Sequence, residues 1–199
     1  RETNGAYGFT KTGPGKLTLQ TPAGNLHTGP TTIKEGTIDL RLSTARLGPG
    51  SIVFAGGTLL CAADRSGVTP QASPVIVTAD SVIQDNGTLT TAPRIFPFSG
   101  TFGGDTGSLI IENVGVAGHT FIVRLTGGGF TFTRPIILKA QTLGALIVLQ
   151  LQNPASAGTQ TFTGQISNYY PGDPCSVQRT GADGTTIFTA ANTYDGGTL

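Results

Sequence analysis

Short apolar runs, and short runs in which apolar and polar residues alternate, recur along the chain between glycine, proline, asparagine and aspartate. Each run has the length of a strand, and none keeps apolar residues at helical spacing over a dozen positions. The runs that predict strands are 16–20, 37–42, 51–54, 58–61, 75–78, 81–83, 88–90, 108–112, 120–125, 130–133, 136–138, 146–151, 159–163 and 185–189. The pattern therefore predicts an all-β chain.

The residues that interrupt these runs lie close together and limit each strand to a few residues. Asp85-Asn86-Gly87 and Asp195-Gly196 favour positive φ, and Gly48-Pro49-Gly50 prevents regular continuation. A β-sandwich would usually show longer strands in paired hairpins. Short strands between sharp bends, in a coil of roughly 20 to 25 residues, instead favour a parallel β-helix whose coils stack on one another. A chain of 199 residues is long enough for one domain with a sizeable core, and its length does not require two. We therefore predict a single domain over residues 1–199.

A strand-and-turn motif occurs twice, at about 9–40 and at 177–199. The second copy stops at Leu199, before any counterpart of residues 33–40. Two copies indicate a solenoid built by stacking similar units. We expect a terminal coil with one bare face to expose an adhesive strand edge, which must be capped, continued or joined to another chain.

Composition and charge exclude several classes of partner. Charged residues make up 12% of the chain and the net charge is +1, with lysine and arginine scattered singly, so no basic stripe is present for nucleic acid or an anionic membrane. The longest apolar run, 146–149, is too short to span a bilayer, and we expect no signal peptide ahead of Arg1. Because the chain contains no methionine, we expect it to be a processed product or an excised segment.

The repeated motif resembles the autotransporter-associated β-strand repeat of bacterial passenger domains and giant surface proteins. The residues that carry the resemblance are Lys11-Thr12-Gly13, Gly15, Leu17-Thr18-Leu19, Asn25, Gly29, Thr31-Thr32-Ile33, Gly36-Thr37, Leu40, Leu47-Gly48, Gly56-Gly57-Thr58-Leu59, Arg179-Thr180-Gly181 and 192–199. The resemblance implies a right-handed parallel β-helix outside the cell, either secreted or on the bacterial surface. It implies no catalytic, cofactor-binding or metal-binding residue.

Candidate catalytic residues are few and isolated. Asp105-Thr106-Gly107-Ser108 spells an aspartic-protease signature, but it has no second copy and follows glycines, so we interpret it as a turn. His27 and His119 have no cysteine or acid at ligand spacing, and we expect His27 to pack on the surface. The acids that a polysaccharide-active enzyme would need in converging pairs stand mostly alone beside turns: Asp39, Asp64, Asp80, Asp85, Asp105 and Glu112.

The two cysteines, Cys61 and Cys175, leave three states open: an intrachain disulfide, a link between chains, or free thiols. The predicted solenoid places them about five coils apart, or roughly 24 Å at about 4.8 Å per coil, whereas a disulfide needs Cα atoms within about 7 Å. Only a loop that folds back would allow the intrachain bridge.

The central phenylalanines are expected to form a core ladder, with an exposed adhesive stripe as the alternative. They are Phe96, Phe98, Phe102, Phe121, Phe130 and Phe132.

The sequence predicts a structural, non-enzymatic extracellular protein without a cofactor. Its expected partner is itself, head to tail, through strand addition that yields a surface or secreted fibre. The residues proposed at the assembly ends are Gly5, Tyr7, Phe9, Leu17, Leu19, Asn192, Tyr194 and Leu199. An adhesin-like passenger segment that binds a cell-surface or polysaccharide ligand is the alternative, and a polysaccharide-active enzyme is the third hypothesis.

Overall fold

Stacked parallel strands form the whole of the described fold. The computed structural model describes residues 5–20, 27–67, 69–87, 92–181 and 184–198. Within these ranges the paired strands run parallel, no α-helix occurs, and one turn of 3-10 helix lies at Ala155–Ala157. The all-β parallel β-helix predicted from the sequence is therefore confirmed. The predicted strand at 88–90 and the predicted end residue Leu199 lie outside the described residues.

The strands form three faces, which we call sheets 1, 2 and 3. Sheet 1 contains, in order, β1 (Phe9–Lys11), β3 (Thr31–Ile33), β5 (Ile52–Phe54), β7 (Val75–Val77) and β10 (Phe102–Gly104). The same face continues with β13 (Phe130–Phe132), β16 (Gln160–Phe162) and β19 (Thr186–Phe188).

Sheet 2 contains β2 (Lys16–Leu19), β4 (Thr37–Leu40), β6 (Thr58–Cys61), β8 (Ser81–Asp85), β11 (Leu109–Asn113), β14 (Ile136–Ala140) and β17 (Ile166–Asn168). Sheet 3 contains β9 (Arg94–Phe98), β12 (Thr120–Leu125), β15 (Leu146–Leu151) and β18 (Cys175–Arg179).

Coil length increases along the axis. In sheet 2, Lys16 pairs with Thr37, which follows it by 21 residues, whereas Val82 pairs with Ile110, which follows it by 28. The longer coils are those that contribute a strand to sheet 3. The first coils thus agree with the predicted 20 to 25 residues, and the later coils exceed that range because a third strand is added.

The first strand of sheet 3 is covered on its outer edge by the segment that precedes β7. Arg65 donates its amide to Ile95 O at 3.0 Å, and Gln71 donates to Pro97 O at 2.9 Å. Arg65 is almost fully buried, and its guanidinium lies 5.1 Å from the centre of the Phe96 ring. Pro97 has no amide hydrogen to donate, so β9 suits this border position.

The interior is one continuous apolar column. Aliphatic side chains fill the early coils and phenylalanines fill the middle ones, where all six of the phenylalanines predicted to form a ladder are buried. Successive rings meet edge to face, for example Phe96 with Phe98 at 4.6 Å and Phe102 with Phe132 at 6.0 Å between centroids. The core ladder is confirmed.

Sharp turns between sheets 1 and 2 lie directly above one another, and we call them the turn stack. They occupy residues 12–15, 34–36, 55–57, 78–80, 105–108, 133–135 and 163–165. Side chains from an adjoining coil accept hydrogen bonds from their amides: Gly13 N donates to Glu35 Oε2 at 2.9 Å, Ser108 N to Asp80 Oδ1 at 2.7 Å, and Gly56 N to Ser81 Oγ at 2.8 Å. The turns therefore connect coils as directly as the strands do.

Lys11 lies beneath the first of these turns with a largely buried side chain. Its ammonium donates to three carbonyl oxygens, those of Thr12, Gly13 and Glu35, at 2.6 to 3.1 Å. These bonds satisfy the charge and bring the first two turns together, which leaves no room for a side chain at Gly36.

We predict that Gly36→Ala destabilises the fold much more than Gly13→Ala does. Both glycines have positive φ, 66° and 74°, so alanine costs about 1–2 kcal/mol at either position. A Cβ at residue 36 would also lie 2.4 Å from the carbonyl oxygens of Gly13 and Gly15, whereas one at residue 13 meets nothing within 4 Å. The clash should add about 1–3 kcal/mol in urea unfolding. Equal losses in the two variants would show that the turn stack is not tightly packed.

Candidate functional site

The predicted N-terminal assembly residues surround the open end of the apolar interior. Phe9, Leu17 and Leu19 are half-buried and, with His27 and Leu47, line a pocket of about 210 Å³. His27 packs against the Phe9 ring at 6.2 Å between centroids and bonds to Thr31 Oγ1 at 2.7 Å.

Two further predicted residues of this end, Gly5 and Tyr7, are exposed. Within the described residues, β1 and β2 each have a strand partner on one side only.

The end of the solenoid at β19 also carries half-buried apolar side chains. Phe188 and Tyr194 are half-buried and pack against the last part of the core, and Phe188 stacks on Phe162 at 5.5 Å between centroids. Asn192 follows β19, and its side-chain oxygen accepts a hydrogen bond from the amide of Ile166, the first residue of β17, at 2.8 Å. Isolated bridges at Thr193 and Thr198 carry the chain across sheets 2 and 3 beyond β19. Both ends therefore present apolar side chains beside strand edges.

The outer face of sheet 2 carries two parallel columns of side chains. Register places Gln84, Glu112 and Lys139 in a polar column, beside the half-buried aliphatic column Val82, Ile110 and Ile137. Glu112 is the centre of the polar column: it accepts hydrogen bonds from Gln84 Nε2 and Gln141 Nε2 at 2.5 Å each and from Lys139 Nζ at 2.8 Å.

Tyr169 continues the polar column. Its amide donates to Leu138 O at 2.8 Å, and the Lys139 ammonium lies 4.8 Å from the centre of its ring. Tyr170 meets Tyr169 edge to face at 4.6 Å, and both tyrosines are half exposed.

Glu112 and Lys139 form an ion pair in which the pKa of the acid is lowered and the pKa of the base is raised. Burial raises the pKa of Glu112, but hydrogen bonds from Lys139, Gln141 and Gln84 outweigh it and lower the pKa below the usual 4.5. The hydrogen bond to Glu112 raises the pKa of Lys139 above 10.5, against the smaller effect of burial. Glu112 and Lys139 therefore remain a neutralising pair at physiological pH.

A second polar cluster lies inside the solenoid, where sheets 2 and 3 meet. Asp85 is fully buried and accepts hydrogen bonds from Arg94 Nη1 on one oxygen, while its other oxygen bonds to His119 Nε2. Arg94 also donates to Cys61 O at 3.2 Å, and the imidazole lies against Gly87, where a Cβ would be 2.1 Å from Nε2. The cluster joins three consecutive coils at this corner.

Sequence spacing did not reveal this cluster, because Asp85 and His119 are 34 residues apart. The signal that was available is alternation: Ser81, Ile83 and Asp85 share the inward side of β8 and all are buried. An acid at an inward strand position requires a buried partner, and only the stacked coils show which residue it is.

The two cysteines are free and buried on different sheets. Burial raises the pKa of the Cys61 thiol well above 9.0, and burial followed by the charge of Asp173 raises the pKa of Cys175 to about 12. Both sulfurs are therefore small apolar groups with little thiolate character.

The outward carboxylates of sheet 2 do not converge. Asp39 pairs with Arg41 at 2.9 Å and Lys16 at 3.6 Å, and it is separated from Glu112 in its column by Leu60 and Gln84. Three rungs correspond to about 14 Å, beyond the spacing of roughly 5–9.5 Å that glycoside hydrolases use.

The protease-like sequence 105–108 is a member of the turn stack with Gly107 at φ 76°, as the turn interpretation requires.

Among the described residues, no group of three or more histidine, cysteine, aspartate or glutamate side chains is placed to hold a metal ion. No helix in the part of the chain that the structure describes has the length and hydropathy to cross a membrane.

We predict that Asp85→Ala lowers the free energy of unfolding by about 3–5 kcal/mol, because it leaves the Arg94 charge buried without its carboxylate. Lys16→Ala is the matched control: it also removes an ion-pair partner, but Lys16 is half exposed and its acid retains Arg41, so the expected loss is about 0–1 kcal/mol. Urea denaturation of both variants measures the difference, and similar losses would contradict a stabilising role for the buried cluster.

We also predict that Glu112 contributes stability that depends on pH. The folded-state pKa lies below the unfolded value of 4.5, so the contribution is complete above about pH 4.5 and is lost as pH falls through the folded value. Glu112→Gln should therefore be less stable than the parent at pH 7, and the gap should close in acid. A gap that stays constant from pH 7 to the acid transition would contradict this assignment.

Comparison with known families identifies the repeated motif. A family profile described as the passenger-associated-transport-repeat matches residues 9–40 and 180–199, together about a quarter of the chain. Comparisons with curated proteins and with solved structures gave no significant match.

The matched segments occupy different corners of the solenoid. The first spans β1 to β4 and includes the corner between sheets 1 and 2, and the second follows β18 and leads from sheet 3 into β19. A basic residue donates to backbone carbonyls at both places: Lys11 to the carbonyls of Thr12 and Gly13 in the first, and Arg179, just before the second, to Gly184 O. The chain is thus a parallel β-solenoid with two segments that match the passenger-associated-transport-repeat, which confirms the resemblance noted in the sequence.

Proposed function

We propose that this chain is a structural, non-enzymatic solenoid segment of a secreted or cell-surface protein, and that further coils stack on its end coils by strand addition. The observation that carries the proposal is the apolar pocket at the first coil, lined by Phe9, Leu17 and Leu19 beside the one-sided strands β1 and β2. Half-buried apolar side chains beside an unpaired parallel edge are what a stacking coil would cover.

The two ends are compatible with each other. β1 and β19 lie on the same face, and β2 lies on the face that ends with β17 and Thr193. In a head-to-tail pair, β1 of one copy therefore extends the face that β19 ends in the other, with the strand direction preserved. Such a contact is heterologous and does not close, so it produces a filament.

The family match supports the cellular location. Passenger-type repeats belong to proteins that are displayed or released outside the cell, and the two matched segments include β1 and β19, the strands placed at the proposed contact. The low content of charged residues, 12%, is compatible with a rod held together by backbone hydrogen bonds and small side chains.

The second candidate is an adhesin-like passenger segment of a larger autotransporter-type protein, in which coils of the same chain cover the ends. The exposed leucine and tyrosines on the sides of the solenoid favour it, because side faces stay accessible when further coils cover the ends: Leu143, Tyr169 and Tyr170. It differs from the first candidate in predicting ligand-dependent attachment without filaments.

We predict that the purified chain associates with increasing concentration in sedimentation velocity and forms fibres visible by negative-stain microscopy. Leu17→Glu should keep it monomeric, because stacking would bury a carboxylate in the apolar end pocket. Leu143→Glu is the control, since that side chain is 95% exposed on the side of the solenoid and should leave association unchanged.

Circular dichroism of both variants establishes that they are folded. A parent chain that stays monomeric over a wide concentration range, with amides of β1 and β19 protected from hydrogen exchange, would overturn axial assembly and leave the adhesin candidate.

A further inference from the structure

We infer that the outer face of sheet 2 is a binding site for a neutral polysaccharide, with the chain of sugars running along the solenoid axis. The site consists of the polar column Gln84, Glu112 and Lys139, the adjoining aliphatic column Val82, Ile110 and Ile137, and the tyrosine pair at residues 169 and 170. All of these residues belong to the coils of one chain, from β8 to the residues that follow β17, so a single chain carries the whole site without axial assembly.

The tyrosine pair provides the apolar contact that a sugar ring requires. Tyr169 and Tyr170 are each 50% exposed although they lie beside β17, and their rings are held at 82° to each other. Lys139 contacts one face of Tyr169 and fixes the ring on the surface. The C–H bonds on one side of a pyranose carry partial positive charge and pack against the negative face of an aromatic ring.

The polar column provides the hydrogen bonds. Gln84, Lys139 and Gln141 all bond to Glu112, so their side chains are oriented before a ligand arrives. Amide oxygens, amide hydrogens and the ammonium together offer both donors and acceptors, which is what hydroxyl groups need. Preorganised polar groups beside apolar surface are the usual composition of a small-molecule or glycan site.

The spacing of the columns favours a linear polymer. Equivalent side chains on successive coils repeat at about 4.8 Å, a distance close to the length of one sugar in an extended chain. From Gln84 through Glu112 and Lys139 to Tyr169 the column covers four consecutive coils. Several sugars of one glycan can therefore make the same kinds of contact in succession.

The two columns carry no net charge, which favours a neutral ligand. Glu112 and Lys139 neutralise each other at 2.8 Å, and no further charged residue belongs to the two columns between Val82 and Tyr169. An anionic glycan or lipid surface would need several uncompensated lysines or arginines. An extended peptide would need an open strand edge, and this face is the middle of a sheet, with strands on both sides of β8, β11 and β14.

The test is a glycan array that contains neutral linear polysaccharides, such as β-linked glucans, xylans and mannans, together with anionic ones such as polygalacturonate and alginate. We expect retention on at least one neutral glycan that survives high salt. Tyrosine emission then gives the affinity for a hexasaccharide of that glycan, since the chain has no tryptophan and two of its four tyrosines are in the site.

Tyr170→Ala should lower this affinity at least tenfold, whereas Tyr169→Phe, which keeps the ring, should change it less than threefold. Tyr7→Ala is the matched control, because Tyr7 is 56% exposed on the first coil, away from this face. Binding should persist in Leu17→Glu, which separates this site from axial assembly. No neutral glycan bound, retention on anionic glycans alone, or an equal loss in Tyr7→Ala would each overturn the assignment.

Discussion

The structure depends on coils that lie in register, because most of its hydrogen bonds connect one coil to the next. Strands alone would allow a coil to slide along its neighbour, since parallel hydrogen bonds repeat evenly. The turn stack removes this freedom. Glu35 and Asp80 each accept a hydrogen bond from the amide of an adjoining turn, and the absence of a side chain at Gly36 allows two carbonyl oxygens to approach closely. Register in turn aligns both the core ladder and the outer columns of sheet 2.

Much of the fold could be predicted because its cause is local. Alternation and turn residues placed every strand of sheet 2 except β17 to within two residues at each end. The bounds of β6 in sheet 2 and of β12 and β15 in sheet 3 agree with the prediction. Four strands of the later coils, β9, β10, β17 and β18, fall outside the predicted runs, and β17 contains a single apolar residue, Ile166. Pro97 interrupts β9, glycines make up most of β10, and β18 is largely polar, so none of them shows a clean pattern. Pairing with a neighbouring coil imposes the strand conformation on these residues. The periodicity of the sequence carries no information about that pairing.

The candidate sites divide in the same way. The end residues Phe9, Leu17 and Leu19 could be proposed from the repeat, because their apolar character and strand position are visible in sequence. The bond between Asp85 and His119, the hub at Glu112 and the tyrosine pair could not, since each joins residues that become neighbours only when coils stack. The acids that sequence inspection treated as isolated turn residues thus include two that organise their surroundings.

The increase in coil length has a consequence for the two ends. Among the described residues, the first coils have strands in sheets 1 and 2 only, whereas the coils from β9 onward also have a strand in sheet 3. In the proposed head-to-tail stack, the next copy would continue sheets 1 and 2, and none of the described strands of its first coils would extend β18 and Thr198. Each junction between identical copies would therefore interrupt sheet 3, which would leave one short strand edge accessible per repeat.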